Sequence, residues 1–446
     1  MNFLELVNKN KDGMLNDLIK LLNINTLLVE QPENKEAPFG DGLKEALDYI
    51  LKLGEDYGFK TLNVDNIAGH IEFGEGEEIV GVLAHLDVVP NLEGWKYDPF
   101  SGTIEGDKLY ARGALDDKGP LISGLYAMKI LKDMGFKPNK RIRLIIGTDE
   151  ESKWRCIKRY LEVCEMPTVG FSPDAEFPII YGEKGNISID LISNYKDKDL
   201  ISLISGERYN VVPDKAVAKF SKEITGLDEY LKSNNLKGSI DENIVTVKGK
   251  GAHAMEPNNG VNALVHLSIF LKGKTDNPLV NFIADNLTDN RFNDMGLNFR
   301  DPEMGDLTLN VAVANIDSNG GMVGLNMRYP INWNEKEFLD KFKTALDKYD
   351  LDMKITKDSG PHYVDKNSEL IQTLHKAYIK YTNDDKTPLM TIGGGTYARA
   401  LKNAVAFGML MPGREDVVHE VDEYIYISDL LTATAIYTES IYQLGK

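Results

Sequence analysis

The chain has 446 residues, and this length predicts two domains, because a single hydrophobic core rarely serves so long a chain. Hydrophobic residues make up 42% and charged residues 27% of it, which are ordinary globular values that argue against disorder or a fibre. The formal net charge of −18 disfavours nucleic acid and anionic membrane surfaces as partners, because both favour basic proteins.

Cysteine usage and the N-terminal segment bear on the compartment. Only two cysteines occur, Cys156 and Cys164, so no disulfide framework is expected. Residues 1–5 lack the basic and apolar regions of a secretory signal, and the apolar stretches fall short of the roughly 20 residues that span a bilayer. The sequence therefore predicts a soluble, cytoplasmic protein.

The opening part of the chain predicts an α/β fold. Apolar residues recur at mostly three- and four-residue spacing, which predicts amphipathic helices, over about 2–22 and 41–58. The almost continuously apolar run 79–84 is typical of a strand buried on both faces. A helix over about 119–135 and a strand at 142–146 then complete a strand–helix–strand unit, which predicts a mainly parallel sheet.

The pattern changes near residue 186. Segments such as 187–192 and 244–247 alternate with period two, as strands with one solvated face do. We therefore expect an α+β domain at 186–361, long enough for two similar subdomains, inserted into a first domain made of 1–185 and 362–446. The C-terminal part of that first domain predicts a helix, a short strand, a glycine-rich turn and a final helix; they span about 366–381, 389–392, 393–395 and 427–443.

Acidic and imidazole side chains follow the two predicted strands. His85 and Asp87 follow the first strand, and Glu150 and Glu151 follow the second. Sites in open α/β sheets form beyond the carboxyl ends of strands. Residues two apart in a strand point to the same side, so Asp87 is placed to accept the second ring N–H of a metal-bound His85. One of the two glutamates can then bind a metal while the other acts on the water.

The acid pair Asp116-Asp117 directly precedes a predicted helix. Helix capping is one interpretation, because carboxylates are favoured at helix N-termini. An acid that bridges two metals is the other interpretation; it needs a constrained backbone, and a cis Asp116–Asp117 bond is one way to provide it.

Taken together, these segments resemble the M20 metallopeptidase family, and most closely its PepV-like dipeptidase branch. The resemblance covers essentially the whole chain. Its most specific strings, in chain order, are 85–90, 111–120, 147–152, 173–178 and 412–419.

The resemblance implies an α/β zinc-peptidase catalytic domain, with a mainly parallel central sheet flanked by helices, and an inserted α+β lid domain. It implies two divalent ions, expected to be zinc, with manganese or cobalt as substitutes. The implied ligands are His85 and Asp174 for one ion, Glu151 and His419 for the other, and Asp116 between them. Glu150 is then the general base and Asp87 the partner of His85.

The resemblance also implies substrate-binding residues. Asn210, His253 and Arg328 match lid positions that bind substrate and the developing oxyanion. Gly395 and Thr396 belong to a glycine turn expected to enter a helix, where free N–H groups suit the terminal carboxylate of a substrate. A nucleotide loop is excluded, because the glycine spacing and the Lys-Ser/Thr ending are absent. Met255 departs from the family, where many members carry a small polar residue.

The expected function is metal-dependent hydrolysis of dipeptides in the cytoplasm. We expect a monomer, because a lid this long could complete the site within one chain. An alternative within the family is an amidohydrolase of N-acyl amino acids, such as N-succinyl-diaminopimelate. A third alternative is a catalytically inactive binding protein, although such chains usually lose ligands. The long insert and the string 150–154 favour the dipeptidase.

Overall fold

A computed structural model describes residues 2–446, so Met1, the first residue of the predicted domain 1–185, lies outside the described residues. The chain divides into two compact units. The first runs to Tyr181 and includes Val364–Met390 and Thr396–Lys446, and the second comprises Gly182–Tyr363 and Thr391–Gly395. The glycine segment, which the sequence analysis assigned to the first domain, thus clusters with the second unit.

The elements follow one another in this order. Up to the second unit they are α1 (Phe3–Leu22), α2 (Asp41–Asp56), β1 (Lys60–Val64), β2 (Ala68–Phe73), β3 (Ile79–His85), β4 (Thr103–Glu105), β5 (Lys108–Tyr110), α3 (Lys118–Asp133), β6 (Arg141–Gly147), α4 (Arg155–Val163), β7 (Val169–Ser172), β8 (Ala175–Glu176) and β9 (Ile180–Glu183). Next come β10 (Gly185–Ser193), β11 (Leu200–Ser205), β12 (Lys215–Phe220), α5 (Leu227–Ser233), β13 (Lys237–Asp241), β14 (Ile244–Lys248), a 3₁₀ turn (Pro257–Asn259), α6 (Ala263–Leu271), α7 (Pro278–Asn286), β15 (Arg300–Asp301), β16 (Gly305–Asp306), β17 (Thr308–Asp317), β18 (Gly320–Tyr329), α8 (Glu335–Asp347), β19 (Asp352–Ser359) and β20 (His362–Tyr363). The last are α9 (Glu369–Thr382), β21 (Met390–Ile392), a 3₁₀ turn (Tyr397–Ala400), β22 (Ala404–Ala406), β23 (Met409–Leu410), β24 (Tyr424–Tyr426) and α10 (Ile427–Leu444).

The central sheet of the first unit is parallel at its centre and antiparallel at its edges. Strands β6, β3, β7 and β22 run parallel in that order, and α3 provides the crossover from β3 to β6. Strands β2 and β1 add antiparallel beyond β6. A tight turn joins these two, with φ of 52° at Asp65 and 57° at Asn66, and such a turn connects only antiparallel neighbours. The parallel prediction is confirmed for the centre, and the hairpin makes the sheet mixed.

Three of the parallel strands end at one edge of this sheet. The register of β3 and β6 places His85 beside Gly147. Strand β7 ends at Ser172, whose buried hydroxyl donates to the Leu83 carbonyl at 2.7 Å. Polar side chains that follow these strands are therefore gathered at the carboxyl edge, where sites of α/β sheets form.

The second unit is built on one eight-stranded antiparallel sheet, in the order β13-β14-β12-β11-β17-β18-β10-β19. In β10 the side chains of Ile187, Ile189 and Leu191 are buried at two-residue spacing. They share a core with helix residues such as Leu264 and Phe282. The period-two strands predicted from the sequence are confirmed.

Helix α1 lies where the apolar spacing of the sequence predicted a helix. Helix α1 begins after Asn2, whose side chain accepts a hydrogen bond from the Leu4 N–H, a typical N-cap. Helix α10 packs against α3 and α9. Among residues 2–446, no helix has both the length and the apolar character that a membrane span requires.

Gly147 leaves no space for a side chain. A Cβ at this position would lie 2.1 Å from the Tyr397 hydroxyl and 3.0 Å from Cys156 Sγ. Gly147→Ala must therefore displace a fully buried ring, and we expect the free energy of unfolding to fall by about 1–3 kcal/mol. Chemical denaturation measures this loss.

Gly124→Ala is the control in the same unit. A Cβ at Gly124 would meet its nearest atoms at 3.4 Å, an ordinary contact, and alanine is favoured over glycine inside a helix. Equal destabilisation by the two substitutions would contradict the steric argument.

Candidate metal centre

Two clusters of histidine and carboxylate side chains lie at the carboxyl edge of the central sheet. The first cluster is His85, Asp116 and Asp174; the second cluster is Asp116, Glu151 and His419. Within each cluster one ligand atom per residue lies within 4.8 Å of the others. All five residues that the resemblance implied as ligands are thus brought together, and Asp116 belongs to both clusters.

The two oxygens of Asp116 face different imidazoles. Oδ1 lies 3.0 Å from Nε2 of His85, and Oδ2 lies 3.0 Å from Nε2 of His419. His85 Nε2 is also 3.6 Å from Asp174 Oδ2, and His419 Nε2 is 3.0 Å from Glu151 Oε1. A carboxylate placed in this way is suited to bridge two cations.

Strand β3 and its continuation orient the His85 ring. The His85 backbone N–H donates to Asp117 Oδ2 at 2.9 Å. On the other side, ring Nδ1 lies 2.9 Å from the Asp87 backbone carbonyl. A carbonyl only accepts, so Nδ1 carries the proton and Nε2 presents a lone pair to the cluster.

Asp87 lies beside the His85 ring, and its role as the partner of that ring stays a prediction. Its carboxylate is 3.5 Å from His85 Nδ1, farther than its own carbonyl. The two carboxylate oxygens instead accept the backbone N–H groups of Glu150 and Glu151, each at 2.9 Å. Residue spacing along a strand showed that Asp87 and His85 face the same way, but the pairing with the glutamate loop follows only from the tertiary register.

The peptide bond between Asp116 and Asp117 is cis. Asp117 occupies the N-cap position of α3 without a side-chain capping hydrogen bond. Its Oδ2 is directed to the His85 N–H instead, so the capping interpretation of this acid pair does not hold. Burial raises the pKa of Asp117 well above its usual value.

Glu150 lies beside the clusters but belongs to neither of the two found among residues 2–446. Burial raises the pKa of its carboxyl group well above the usual value, and the charges of Asp174 and Glu151 act in the same direction. Burial also raises the pKa of Glu151, to about 7, against a lowering by its hydrogen bond with His419. Glu150 thus binds a proton more tightly than an exposed glutamate does.

The first cluster contains facing acceptors that suit a cation. His85 Nε2 and Asp116 Oδ1 are both buried without a hydrogen-bond partner, although they lie 3.0 Å apart. With Nδ1 protonated, a neutral His85 ring and a carboxylate both present lone pairs to the same point. A proton or a divalent cation resolves this repulsion, and imidazole plus carboxylate is a donor set for zinc.

Protons compete for the same atoms. Hydrogen bonds with Asp116 and Glu151 raise the pKa of His419 to about 10. For His85 burial opposes the charged ring, but the neighbouring carboxylates of Asp116 and Asp174 raise its pKa well above the usual value.

We therefore expect metal binding to release protons, and metal affinity to fall as the pH falls, because the imidazoles must lose their protons to coordinate. The expected fall between about pH 8 and pH 6 is roughly tenfold per pH unit for each proton released. Calorimetric Zn²⁺ titrations in buffers of different ionisation enthalpy count these protons. Binding that is independent of pH over this interval would contradict the competition.

Tyr397 was missed by the sequence analysis. Its buried ring meets the His85 ring edge-on with centroids 5.9 Å apart, and the Trp154 ring at 5.3 Å. Its hydroxyl lies 3.4 Å from Cys156 Sγ. The only signal in the sequence was its place directly after the glycine turn.

Arg112 and Glu423 were also missed. Their side chains form a buried ion pair, with Arg112 Nη1 donating to Glu423 Oε2 at 2.7 Å. Arg112 stands inside the family string 111–120, but nothing in the sequence pairs it with an acid 311 residues away.

In the second unit, Asn210 and His253 lie on two short segments that pair with each other. The Val212 N–H donates to the Ala252 carbonyl at 2.8 Å, and the Ala254 N–H donates to the Asn210 carbonyl at 2.9 Å. Val211 is the residue that lies opposite His253 in this pairing, and Asn210 and His253 are both exposed.

The ring of His253 is held in one tautomer. Its Nδ1 accepts from the Met255 N–H at 3.2 Å, so Nε2 carries the proton. Partial burial, together with the charge of Arg328, lowers the pKa of this imidazole. His253 is therefore a neutral ring with one available N–H donor.

Arg328 lies against the glycine segment of the same unit. Its Nε donates to Asn326 Oδ1 at 3.0 Å, and its Nη1 donates to the Gly393 carbonyl at 3.2 Å. Met255 packs on this segment as well, because a Cβ at Gly393 would lie 2.8 Å from Met255 Cβ.

The glycine turn enters a helix, as predicted, but this helix is a short 3₁₀ one and not an α-helix. Thr396 precedes only a four-residue 3₁₀ turn, Tyr397–Ala400, because β22 begins at Ala404. A turn this short has a much smaller dipole than an α-helix, so it offers weaker support for an anion at Gly395 and Thr396.

Residues 81–443 match the family model for peptidase family M20/M25/M40. A Staphylococcus aureus (strain MW2) protein that carries the name "Putative dipeptidase" is 43% identical over 463 residues, which is 99% of this chain and 98% of the relative. A Staphylococcus saprophyticus protein of the same name is 43% identical over 461 residues, 98% of each chain. The chain belongs to this peptidase family.

Solved structures show the same fold at low identity. Human carnosine dipeptidase 1 has a TM-score of 0.59 at 13% identity, covering 99% of this chain and 98% of that one. An M20 family metallo-carboxypeptidase from Sulfolobus solfataricus has a TM-score of 0.57 at 18% identity, covering 96% and 98%. The predicted M20-type fold is confirmed, and membership of the family implies divalent metal ions.

Proposed function

We propose that this chain is a dipeptidase that hydrolyses dipeptides with two divalent ions and a glutamate base. The observation that carries the proposal is the pair of clusters that share Asp116, with Glu150 beside them and outside both. The dipeptidase names of relatives at 43% identity over the whole chain support the substrate class. A cytoplasmic location and a monomeric state stay predictions.

One ion would be held by the first cluster and the other by the second. Imidazole and carboxylate ligands suit zinc, and manganese or cobalt accept the same set. When bound, such ions lower the pKa of water and polarise a carbonyl group. The bridging role falls to Asp116, whose two oxygens already face different imidazoles.

Glu150 would move the proton. Its carboxylate takes a proton from the water that attacks the peptide carbonyl, and then gives it to the leaving amine. Burial raises the pKa of Glu150, which makes it a stronger base than an exposed glutamate. The Asp87 carboxylate fixes the backbone at this position by accepting the Glu150 N–H at 2.9 Å.

The residues that the family resemblance implies for substrate binding would take the following roles. The N–H of His253 is a donor for the oxyanion, and Arg328 is a donor for the terminal carboxylate, with Gly395 and Thr396 assisting. Asn210, paired with the His253 segment, adds a further polar contact to the substrate. Met255, which lies against the glycine segment, would contact the C-terminal residue of a dipeptide.

Glu150→Ala tests the base. We expect kcat to fall by a factor of about 10²–10⁴ while both ions are retained, because proton transfer is lost but no ligand is removed. Metal analysis and steady-state kinetics of the zinc-loaded enzyme measure the two effects. Glu45→Ala, at an exposed position on α2, is the matched control and should change neither. Near-normal turnover of Glu150→Ala would rule out the base assignment.

Arg328→Lys tests recognition of the terminal carboxylate. Lysine keeps the charge but cannot make two parallel hydrogen bonds, so KM for dipeptides should rise by about tenfold or more with a smaller change in kcat. A dipeptide amide, which lacks the carboxylate, should be affected much less. A similar rise in KM for dipeptide and amide would contradict the role.

A substrate panel separates the dipeptidase from the amidohydrolase. The zinc- and manganese-loaded enzyme is offered dipeptides, a tripeptide and N-succinyl-diaminopimelate. We expect kcat/KM for dipeptides to exceed the other values by at least about tenfold, because a fixed terminal-carboxylate site rejects longer or differently charged substrates. Preferential cleavage of the succinyl compound would overturn the dipeptidase assignment.

A further inference from the structure

A buried ion pair lies next to the two clusters without belonging to either. The side chains of Arg112 and Glu423 are 1% and 0% exposed, and Nη1 of the arginine donates to Oε2 of the glutamate at 2.7 Å. The Trp95 ring lies over the guanidinium, 5.1 Å from its centre. A charged pair this deeply buried is costly unless its remaining hydrogen-bonding groups are used.

A pair of strands brings these residues together. Strand β24 pairs antiparallel with β5, and Tyr424 lies opposite Tyr110. The pairing continues past the strand ends, where the Ala111 N–H donates to the Glu423 carbonyl at 3.1 Å. Arg112 and Glu423 therefore occupy adjacent positions where the two strands give way to the loops that carry Asp116 and His419.

Each member of the pair holds the backbone of one of those loops. Glu423 Oε1 accepts the N–H groups of Leu115 at 2.9 Å and Asp116 at 3.2 Å. Arg112 Nη2 donates to the His419 carbonyl at 3.3 Å. One ion pair thus links the backbones of the two residues whose side chains meet at 3.0 Å in the second cluster.

The two clusters do not depend equally on this pair. His85 lies in a sheet ladder with its ring and N–H both bonded, and Asp174 follows β7 in the same sheet. His419 has no such support: it lies in a loop with a φ of 66°, and its side chain is 49% exposed. In the first cluster, the ion pair hydrogen-bonds only to the backbone of Asp116. In the second cluster, it hydrogen-bonds to the backbones of both Asp116 and His419.

We propose that Arg112 and Glu423 are positioning residues that set the affinity of the second cluster for its metal ion. They touch neither ion nor substrate, and they act by holding the Asp116 and His419 backbones at a fixed separation. Residues that orient metal ligands in this way typically change metal affinity by about 10–100-fold when altered. The inference rests on the proposed two-ion site and names residues beyond its ligands.

Arg112→Lys is the decisive variant. An ammonium group is a single point charge, so it keeps the attraction to Glu423 but cannot also reach the His419 carbonyl as the planar guanidinium does. Metal-free protein is titrated with Zn²⁺ against a competing chelator, and Co²⁺ absorption gives an independent signal. His419→Ala, which removes a ligand, identifies the affinity that belongs to the second cluster.

We expect the second-cluster Kd to rise by about 10–100-fold in Arg112→Lys and the first-cluster Kd to change by less than about threefold. Glu423→Ala, which removes the acceptor of the Leu115 and Asp116 N–H groups as well, should weaken both, the second cluster more. Arg143→Lys is the matched control, because the buried Arg143 forms an ion pair with Glu72 at 2.6 Å on the central sheet of the same unit. Its metal affinities should stay unchanged even if its thermal midpoint falls as far as that of Arg112→Lys.

The outcomes separate this inference from the function on which it rests. Wild-type protein that binds a single ion overturns the two-ion site itself. Wild-type protein that binds two ions, with an Arg112→Lys variant that binds both equally tightly or loses both in parallel, overturns the inference alone. A fall in both affinities in Arg143→Lys would also overturn it, because the effect would then follow from general destabilisation.

Discussion

Mutual repulsion of buried carboxylates at one sheet edge is the constraint on which the first unit depends. Acids that follow β3, β6 and β7 and precede α3 converge there, and burial raises the pKa of most of them. The two imidazoles of His85 and His419 supply the nearest compensating groups. Positive charge between these groups, from protons or divalent cations, is what makes the convergence compatible with a folded chain.

Two carboxylates that are not candidate ligands hold the backbone at this sheet edge by hydrogen bonds. Asp87 accepts two successive backbone N–H groups of the glutamate loop, and Glu423 accepts two successive N–H groups ending at Asp116. Each arrangement turns a stretch of backbone so that its side chains face the clusters. Main-chain hydrogen bonds thus fix the backbone of Glu151 and of Asp116, so the side chains of these two residues need not supply that support.

The features of the fold and the site that depend on local sequence pattern could be predicted. Buried strands and the positions where they end placed His85, Glu150 and Glu151 at one sheet edge, and the family resemblance then implied five ligands, which the structure gathers into two clusters that share Asp116. The hydrogen bonds from the Glu150 and Glu151 N–H groups to Asp87 could not be predicted. Strand periodicity gives the direction of a side chain but not the group that faces it. The ion pair of Arg112 with Glu423 could not be predicted either, since the β5–β24 pairing brings together residues that are 311 positions apart in the chain.

The order of the ligands along the chain has a consequence for biosynthesis. The first cluster has all of its residues once Asp174 has emerged from the ribosome, before most of the second unit exists. The second cluster joins Glu151 to His419 across 268 residues, so it cannot form until the last helix is about to be made. Synthesis from the N-terminus therefore imposes a sequence on assembly: one cluster is available to a nascent chain, and the other only to a nearly finished one.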